Sequence, residues 1–287
     1  MNPAKGSTMA KLEPADWRGS AGDRWASNVD HFETMLTEIG AALLAHAGFS
    51  PGETVVEIGC GGGRLTREIA GRVAPDGTVT GVDISPTLVA LATDRAAADD
   101  IGNISFTAID AQTGMPGQAP FDRLVSRFGV MFFADPAAAM ANLRAMLKPG
   151  GRLDFAVWAP IAGNPWAATM MQAAREPLGL VPPEPRAPGP FAFSEEDYLR
   201  GLLEGAGFSS VSITPWTGSV KIGGPGATAE EVAELSMMTG SIAEPLKDAS
   251  AELRAMVHRS LTELLRPYVG PSGAVLPASV HLVTASA

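Results

Sequence analysis

The chain has 287 residues, of which 46% are hydrophobic and 18% are charged, an ordinary balance for a folded globular protein. Its 31 acidic residues outnumber its 21 Lys and Arg residues, and the net charge of -10 without a basic cluster argues against a nucleic-acid partner. The single cysteine excludes an intramolecular disulfide, and no apolar stretch reaches the ~20 residues that cross a bilayer, so we expect a cytoplasmic protein with no membrane partner and no metal site.

Helix-like and strand-like segments alternate between residues 30 and 158. The first helical segment, residues 31–48, carries an apolar stripe and ends at Gly48. Such alternation predicts a parallel sheet with helices on both faces. The predicted strands cover residues 54–59, 77–84, 104–110, 121–128 and 150–158, and the predicted helices between them cover residues 64–73, 85–100 and 136–147.

The character of the sequence changes after residue 158. A Pro-rich connector at 181–190 precedes a helix that starts near residue 194, and two late strands are predicted at 210–216 and 279–286. We therefore expect an α/β, doubly wound, Rossmann-like fold with a mostly parallel seven-stranded sheet. Its expected parts are an N-terminal helical cap (1–50), the core (51–158), an insertion (159–193), a core helix and strand (194–222), a helical insertion (223–273) and a final core strand (274–287).

The turn after the first predicted strand is rich in glycine. A glycine-rich turn at this place lets a ligand approach backbone N–H groups at the carboxyl edge of the sheet. The dinucleotide fingerprint G-x-G-x-x-G needs a third glycine at position 64, where Arg64 stands. An NAD(P)-dependent oxidoreductase is therefore only the second hypothesis. The pattern present is E-x-G-x-G-x-G, formed by Glu57, Gly59, Gly61 and Gly63.

Five motifs follow one another in a fixed order, namely VVEIGCGGG, VTGVDIS, AIDAQTGMP, FDRLVSRFGVMFF and LKPGGRL. In these motifs, and over residues 20 to 158, the chain resembles the class I S-adenosylmethionine-dependent methyltransferases that act on small molecules, of the ubiquinone and menaquinone biosynthesis type. The resemblance implies methyl transfer from S-adenosylmethionine to an O, N or C atom of a small-molecule acceptor, with S-adenosylhomocysteine as product. It allows a homodimer. A non-catalytic protein that binds S-adenosylmethionine is a third hypothesis.

The motifs suggest how the cofactor is held. Asp83 stands 20 positions after Gly63, the spacing at which an acidic residue accepts hydrogen bonds from ribose hydroxyls. We expect Asp110 to accept the adenine amino group and the backbone N–H of Ala111 to meet a ring nitrogen. The ammonium of the methionine end suits Glu57.

Further positions follow from the resemblance. It implies that Ile84 and Ser126, at the ends of the second and fourth strands, belong to the cofactor site. Trp25 either packs beside the methionine tail or is a buried staple of the first helix. His31 is either a general base or an ordinary helical histidine. We expect Arg127 to be solvated or stacked rather than to hold a carboxylate.

Overall fold

The computed structural model describes residues 14–287. Its strands join into one eight-stranded sheet. The strands are β1 (Thr54–Ile58), β2 (Thr78–Asp83), β3 (Ile104–Ala108), β4 (Phe121–Arg127), β5 (Leu147–Trp158), β6 (Ser209–Ile222), β7 (Val269–Gly270) and β8 (Gly273–Ser286).

The order of the strands is β3-β2-β1-β4-β5-β8-β6, and the short β7 pairs with β8. Strands β1 to β5 pair in parallel, whereas β8 pairs antiparallel with β5, β6 and β7. The order reverses at β1, so the loops after β1 and β4 diverge at the carboxyl end of the sheet, which is where doubly wound folds bind ligands. The expected α/β, mostly parallel fold is confirmed.

Helices surround this sheet, and within residues 14–287 four of them precede its first strand. Three short 3-10 helices supplement them at Gly129–Phe132, Ile161–Gly163 and Arg266–Tyr268. The α-helices of the described residues are α1 (Pro14–Arg18), α2 (Ser20–Ser27), α3 (Val29–Met35), α4 (Thr37–Ala47), α5 (Arg64–Val73), α6 (Pro86–Ala98), α7 (Pro136–Ala145), α8 (Pro165–Arg175), α9 (Glu196–Gly205), α10 (Ala229–Thr239), α11 (Ala243–Lys247) and α12 (Ala251–Leu265).

Local sequence signals explain where two of the core helices begin. Ser85 caps α6 by accepting a hydrogen bond from the backbone N–H of Leu88, and a proline occupies the first turn. Asp135 caps α7 in the same way through the N–H of Ala138, again with a proline in the first turn. These caps fix the start of both helices directly after the loops at the ligand-binding edge.

Two elements differ from the sequence prediction. The single helix predicted over 31–48 is divided into α3 and α4 at Leu36, and side chains of α3 pack on the turn after β1. The late strands β6 and β8 have 14 residues each, about twice the predicted length. Pro215 is tolerated in β6 because that strand lies at the edge of the sheet.

Within residues 14–287, no helix combines the length and the apolar character that crossing a membrane requires.

Candidate active site

Two clefts meet at the carboxyl end of the parallel strands. The first, which we name the turn cleft, lies over the turn after β1. The second and larger one, named the apolar cleft, lies between the cap, α8, the Pro-rich connector and α10–α11. Six side chains line both clefts and form what we name the shared wall: Trp17, Trp25, Phe32, Leu36, Phe128 and Phe132.

The glycine turn forms the floor of the turn cleft. Gly59 has a φ of +70°, and a Cβ at this position would lie 2.7 Å from the Cα of Gly129, so both the conformation and the close approach require glycine. The backbone N–H of Gly61 donates to Asp83 Oδ2 at 2.9 Å, and a Cβ at Gly61 would lie 3.5 Å from the Nε1 of Trp25. The turn therefore presents bare backbone between β1 and the cap.

Asp83 ends β2 and faces the same cleft. Its Oδ2 accepts the N–H of Gly61 and its Oδ1 accepts the N–H of Ser85, each at 2.9 Å. Only 8% of the residue is exposed, and burial raises the pKa of its carboxyl group above the usual value while the backbone donors lower it. The two backbone donors fix the carboxylate, and each oxygen keeps a lone pair for a ligand hydroxyl.

Asp110 follows β3 on the neighbouring strand. Its Oδ1 accepts the N–H of Gln112 at 3.0 Å, and its Oδ2 lies 3.2 Å from Nη2 of Arg18, which reaches over from the cap. The predicted residues Ile84 and Ala111 line the cleft beside it. The residues expected at the ribose and adenine end therefore lie together, and Arg18 is an addition that the sequence did not indicate.

Glu57 and Arg127 also line the turn cleft. Glu57 is 2% exposed and accepts a hydrogen bond from Thr66 Oγ1 at 2.5 Å, and burial raises its pKa to about 8. Arg127 lines the cleft near enough to Glu57 for a charge interaction, and its Nη1 donates to the carbonyl of Leu36 at 3.4 Å. The expectation of a solvated or stacked Arg127 is wrong, because the cap covers this side chain.

Glu33 of α3 is a lining residue of the turn cleft that the sequence reasoning missed. It is 9% exposed, and its Oε2 lies 3.1 Å from Nη1 of Arg95. The sequence did indicate that Glu33 lies on a buried helix face, because Glu33 falls four residues after Val29 and three before Leu36, and both of these apolar residues are buried. A carboxylate within a buried helical stripe is rare without a partner or a function.

Two predicted residues do not line either cleft. Ser126 is fully buried and donates its hydroxyl to the carbonyl of Ile58 at 2.7 Å, so it ties β4 to β1 beneath the site. A Cβ at Gly63 would lie 2.9 Å from the Cβ of Ala92, which makes this glycine a contact between turn and α6 rather than a ligand contact. The structure thus places both residues outside the lining of the two clefts.

Trp25 and His31 are the two cap residues for which the sequence left two roles open. Trp25 stacks on Phe32 with ring centroids 3.8 Å apart and belongs to the shared wall. His31 lines only the apolar cleft, and burial lowers its pKa below the usual value, so its imidazole is neutral at pH 7. A neutral imidazole at this place is able to accept a proton from a ligand in the apolar cleft.

A row of aromatic rings runs along the apolar cleft from the shared wall outward. Phe128 stacks on Trp158 with centroids 4.3 Å apart, Trp158 lies 4.7 Å from Trp166, and Trp166 lies 6.2 Å from Phe191. Asn164 is fully buried and bonds to backbone carbonyls, which anchors the start of α8. The insertions expected at 159–193 and 223–273 both contribute to the lining.

The charges of the turn cleft restrict its ligand. Four carboxyl groups line it against one guanidinium, that of Arg127, and the carboxyl groups still outnumber it with Glu57 protonated, so a ligand with net positive charge fits and a pyrophosphate does not. Asp83 and Asp110 at one end suit hydroxyl and amino donors, and the bare glycine turn leaves room that side chains would fill. Among residues 14–287, no group of three or more His, Cys, Asp or Glu side chains is placed to hold a metal ion.

Comparisons with known proteins agree with this geometry. Residues 55–151 match the family model described as a methyltransferase domain. Aklanonic acid methyltransferase DauC from Streptomyces sp. (strain C5) is 34% identical over 122 residues, which cover 42% of this chain and 55% of that protein. The chain spans about half the length of the curated relatives it matches.

Solved structures share the fold over a longer part of the chain than the matched domain. The YcgJ protein from Bacillus subtilis superposes with a TM-score of 0.56 at 16% identity, over 87% of this chain and 98% of that one. Phosphoethanolamine N-methyltransferase 2 from Haemonchus contortus, solved with phosphomonomethylethanolamine and S-adenosylhomocysteine, gives a TM-score of 0.56 at 15% identity, over 91% of this chain and 57% of that one. Residues 55–151 therefore match a methyltransferase domain, and the fold around them is that of the solved neighbours.

Proposed function

We propose that the protein transfers the methyl group of S-adenosylmethionine to a nucleophilic O, N or C atom of a small-molecule acceptor. The observation that carries the proposal is the junction of the two clefts. One cleft has the hydrogen-bond acceptors and charges that a cationic nucleoside needs, and the other is large and apolar. The shared wall between them is the place where an electrophile and an acceptor meet.

The residues of the turn cleft fit the parts of the cofactor. Asp83 would receive the ribose hydroxyls, and Asp110 with the backbone N–H of Ala111 would hold the adenine. Arg127 would pair with the carboxylate of the amino acid end. When bound, the cofactor supplies a methyl group that its sulfonium has already activated. The protein then has to align the reactants and exclude water, and a strong base is optional.

The shared wall suits both tasks. Trp17 packs edge-on against Phe132 with ring centroids 4.9 Å apart, and it meets Trp25 at 6.0 Å. Such rings remove water from the junction, and their faces attract a positive charge. The wall carries no ionisable side chain. Among the described cap residues, from 14 onward, His31 is the one titratable group that lines the apolar cleft without an ion pair.

We propose an apolar, ring-bearing acceptor. The support is the row of aromatic rings along the apolar cleft, whose members lie 4.3 to 6.2 Å from one another. The relative DauC is named for aklanonic acid, which agrees with a small-molecule acceptor. The net charge of -10 and the single, buried Cys60 support a cytoplasmic enzyme that does not act on nucleic acid.

We expect the His31→Ala variant to lower turnover by no more than ~10²- to 10⁴-fold, the range of a general base, without a change in S-adenosylhomocysteine affinity. The reason is that His31 lines the apolar cleft and not the turn cleft. Steady-state kinetics with an identified acceptor and calorimetric titration of the cofactor product give the two quantities. A loss of S-adenosylhomocysteine binding in this variant would move His31 into the cofactor site.

Ligand-induced stabilisation tests the proposed function. S-adenosylhomocysteine at 100 times its Kd should stabilise the full chain by about 2.7 kcal/mol, with a matching rise in Tm, whereas NAD and NADP should have no effect. A rise with NAD or NADP alone would favour the oxidoreductase hypothesis. Release of S-adenosylhomocysteine from S-adenosylmethionine in the presence of an acceptor separates an enzyme from a non-catalytic binding protein.

A further inference from the structure

Glu33 sits directly on the glycine turn. A Cβ at Gly62 would lie 2.8 Å from Glu33 Oε1 and 2.5 Å from Val29 Cγ2, so α3 rests on the bare backbone of the turn. Glu33 also lines the turn cleft. The cap therefore brings a carboxylate to the part of the cleft beside Gly62.

The two oxygens of this carboxylate have different surroundings. Oε2 pairs with Nη1 of Arg95 at 3.1 Å, whereas Oε1 is fully buried and has no hydrogen-bond partner among the described residues. A buried carboxylate oxygen without a donor is costly, so native sites supply one. Because Glu33 lines the cleft, a bound ligand is in a position to supply the donor.

The other carboxyl groups of the turn cleft are already engaged. Backbone N–H groups hold Asp83 and Asp110, which lie at the ribose and adenine end. Glu57 accepts a hydrogen bond from Thr66, and burial raises its pKa to about 8, so it is mostly protonated at pH 7. Glu33 Oε1 is the one carboxyl oxygen of this cleft that is both fully buried and unpartnered within residues 14–287.

We propose that Glu33 receives the α-ammonium group of the cofactor, so that the cap recognises the amino acid end of the ligand. This inference rests on the proposed function, and it transfers to Glu33 a role that the sequence suggested for Glu57. An ammonium supplies both the missing N–H donor and a charge opposite to that of the carboxylate. The contact between the cap and the ligand is thereby specific for ligands that carry the amino acid.

The test compares two ligands that differ in the amino acid end. S-adenosylhomocysteine carries it, whereas 5′-methylthioadenosine shares the adenine, ribose and thioether sulfur but lacks it. We expect Glu33→Gln to weaken S-adenosylhomocysteine binding by about 10- to 100-fold, the effect of a hydrogen bond to a charged group. The affinity for 5′-methylthioadenosine should change by less than about 3-fold, within the spread of distant substitutions. Calorimetric titration of the full chain measures both.

Asp30→Asn is the matched control. Asp30 pairs with Nη2 of the same Arg95 at 2.6 Å, but its side chain is 88% exposed and does not line the turn cleft. Its replacement should leave both affinities unchanged. Glu33→Asp retains the charge and shortens the side chain, so it should lose less S-adenosylhomocysteine affinity than Glu33→Gln. It replaces Glu33→Gln in the same titrations if the glutamine variant does not fold.

A third ligand separates the ammonium from the carboxylate. For the S-adenosylhomocysteine analogue that lacks only the α-amino group, Glu33→Gln should cause no loss of affinity. Equal losses for S-adenosylhomocysteine and 5′-methylthioadenosine, or an unchanged S-adenosylhomocysteine affinity, would overturn the assignment of Glu33 alone. If the wild-type chain binds neither ligand, the proposed function fails together with the inference.

Discussion

We expect the Asp83→Ala variant to lose S-adenosylhomocysteine affinity by at least about 100-fold. Two hydrogen bonds from ribose hydroxyls to a carboxylate contribute about 1.5 to 3 kcal/mol each. Asp83 also accepts the backbone N–H groups of Gly61 and Ser85, so alanine leaves two buried donors without an acceptor and loosens the turn. We therefore also expect a loss of about 1 to 3 kcal/mol in the free energy of unfolding. Calorimetry and urea denaturation measure the two effects.

Asp83→Asn is the control for the charge. Asparagine has nearly the same shape and keeps one carbonyl oxygen as an acceptor, so the fold should lose less stability than with alanine. The affinity for S-adenosylhomocysteine should still fall, because the negative charge that accepts both hydroxyls is lost. A folded Asp83→Ala variant with wild-type affinity would remove Asp83 from the ligand site.

We expect the Glu57→Gln variant to be more stable than the wild type by up to about 3 kcal/mol at pH 7. Burial raises the pKa of Glu57 from 4.5 to about 8, so the folded state holds a proton that the unfolded chain releases above pH 4.5. The stability that this proton contributes is complete below pH 4.5 and is lost as the pH rises through 8. Glutamine resembles the protonated carboxyl group and does not titrate, so the variant avoids this loss.

The pH dependence makes the Glu57 prediction specific. The stability difference between Glu57→Gln and the wild type should be near zero at pH 4.5 and should grow steadily toward pH 8, as measured by urea denaturation at several pH values. Glu68→Gln serves as the control, because Glu68 lies on the surface in an ion pair with Arg64 and is 44% exposed. A Glu57→Gln variant that is less stable than wild type at pH 7 would show that Glu57 is ionised in the folded protein.

The core of the fold could be predicted because its signals are local. Each parallel strand is a short apolar run followed closely by a helix, and caps such as Ser85 and Asp135 mark where helices begin. The division of the helix over 31–48 at Leu36 could not be predicted, because the apolar stripe continues across it. The length of β6 was missed because Pro215 and Gly218 interrupt a strand pattern that pairing with β8 overrides.

The candidate site likewise contains some residues that the sequence predicts and others that it does not. Asp83 and Asp110 follow strands directly, so their place at the sheet edge could be read from the sequence. Ser126 also follows this pattern, yet its hydroxyl turns back to the carbonyl of Ile58, which only the packing of β4 on β1 decides. The place of Glu33 and the burial of Arg127 depend on how the cap lies over the sheet, and no local pattern encodes that arrangement.

A crystal structure of the full chain with S-adenosylhomocysteine tests the central claim most directly. The account predicts one ligand in the turn cleft, with its ribose hydroxyls on Asp83, its α-amino group on Glu33 and its sulfur at the shared wall, facing the apolar cleft. A ligand bound in the reverse direction, with its adenine against Glu33, or one bound only in the apolar cleft, would contradict it.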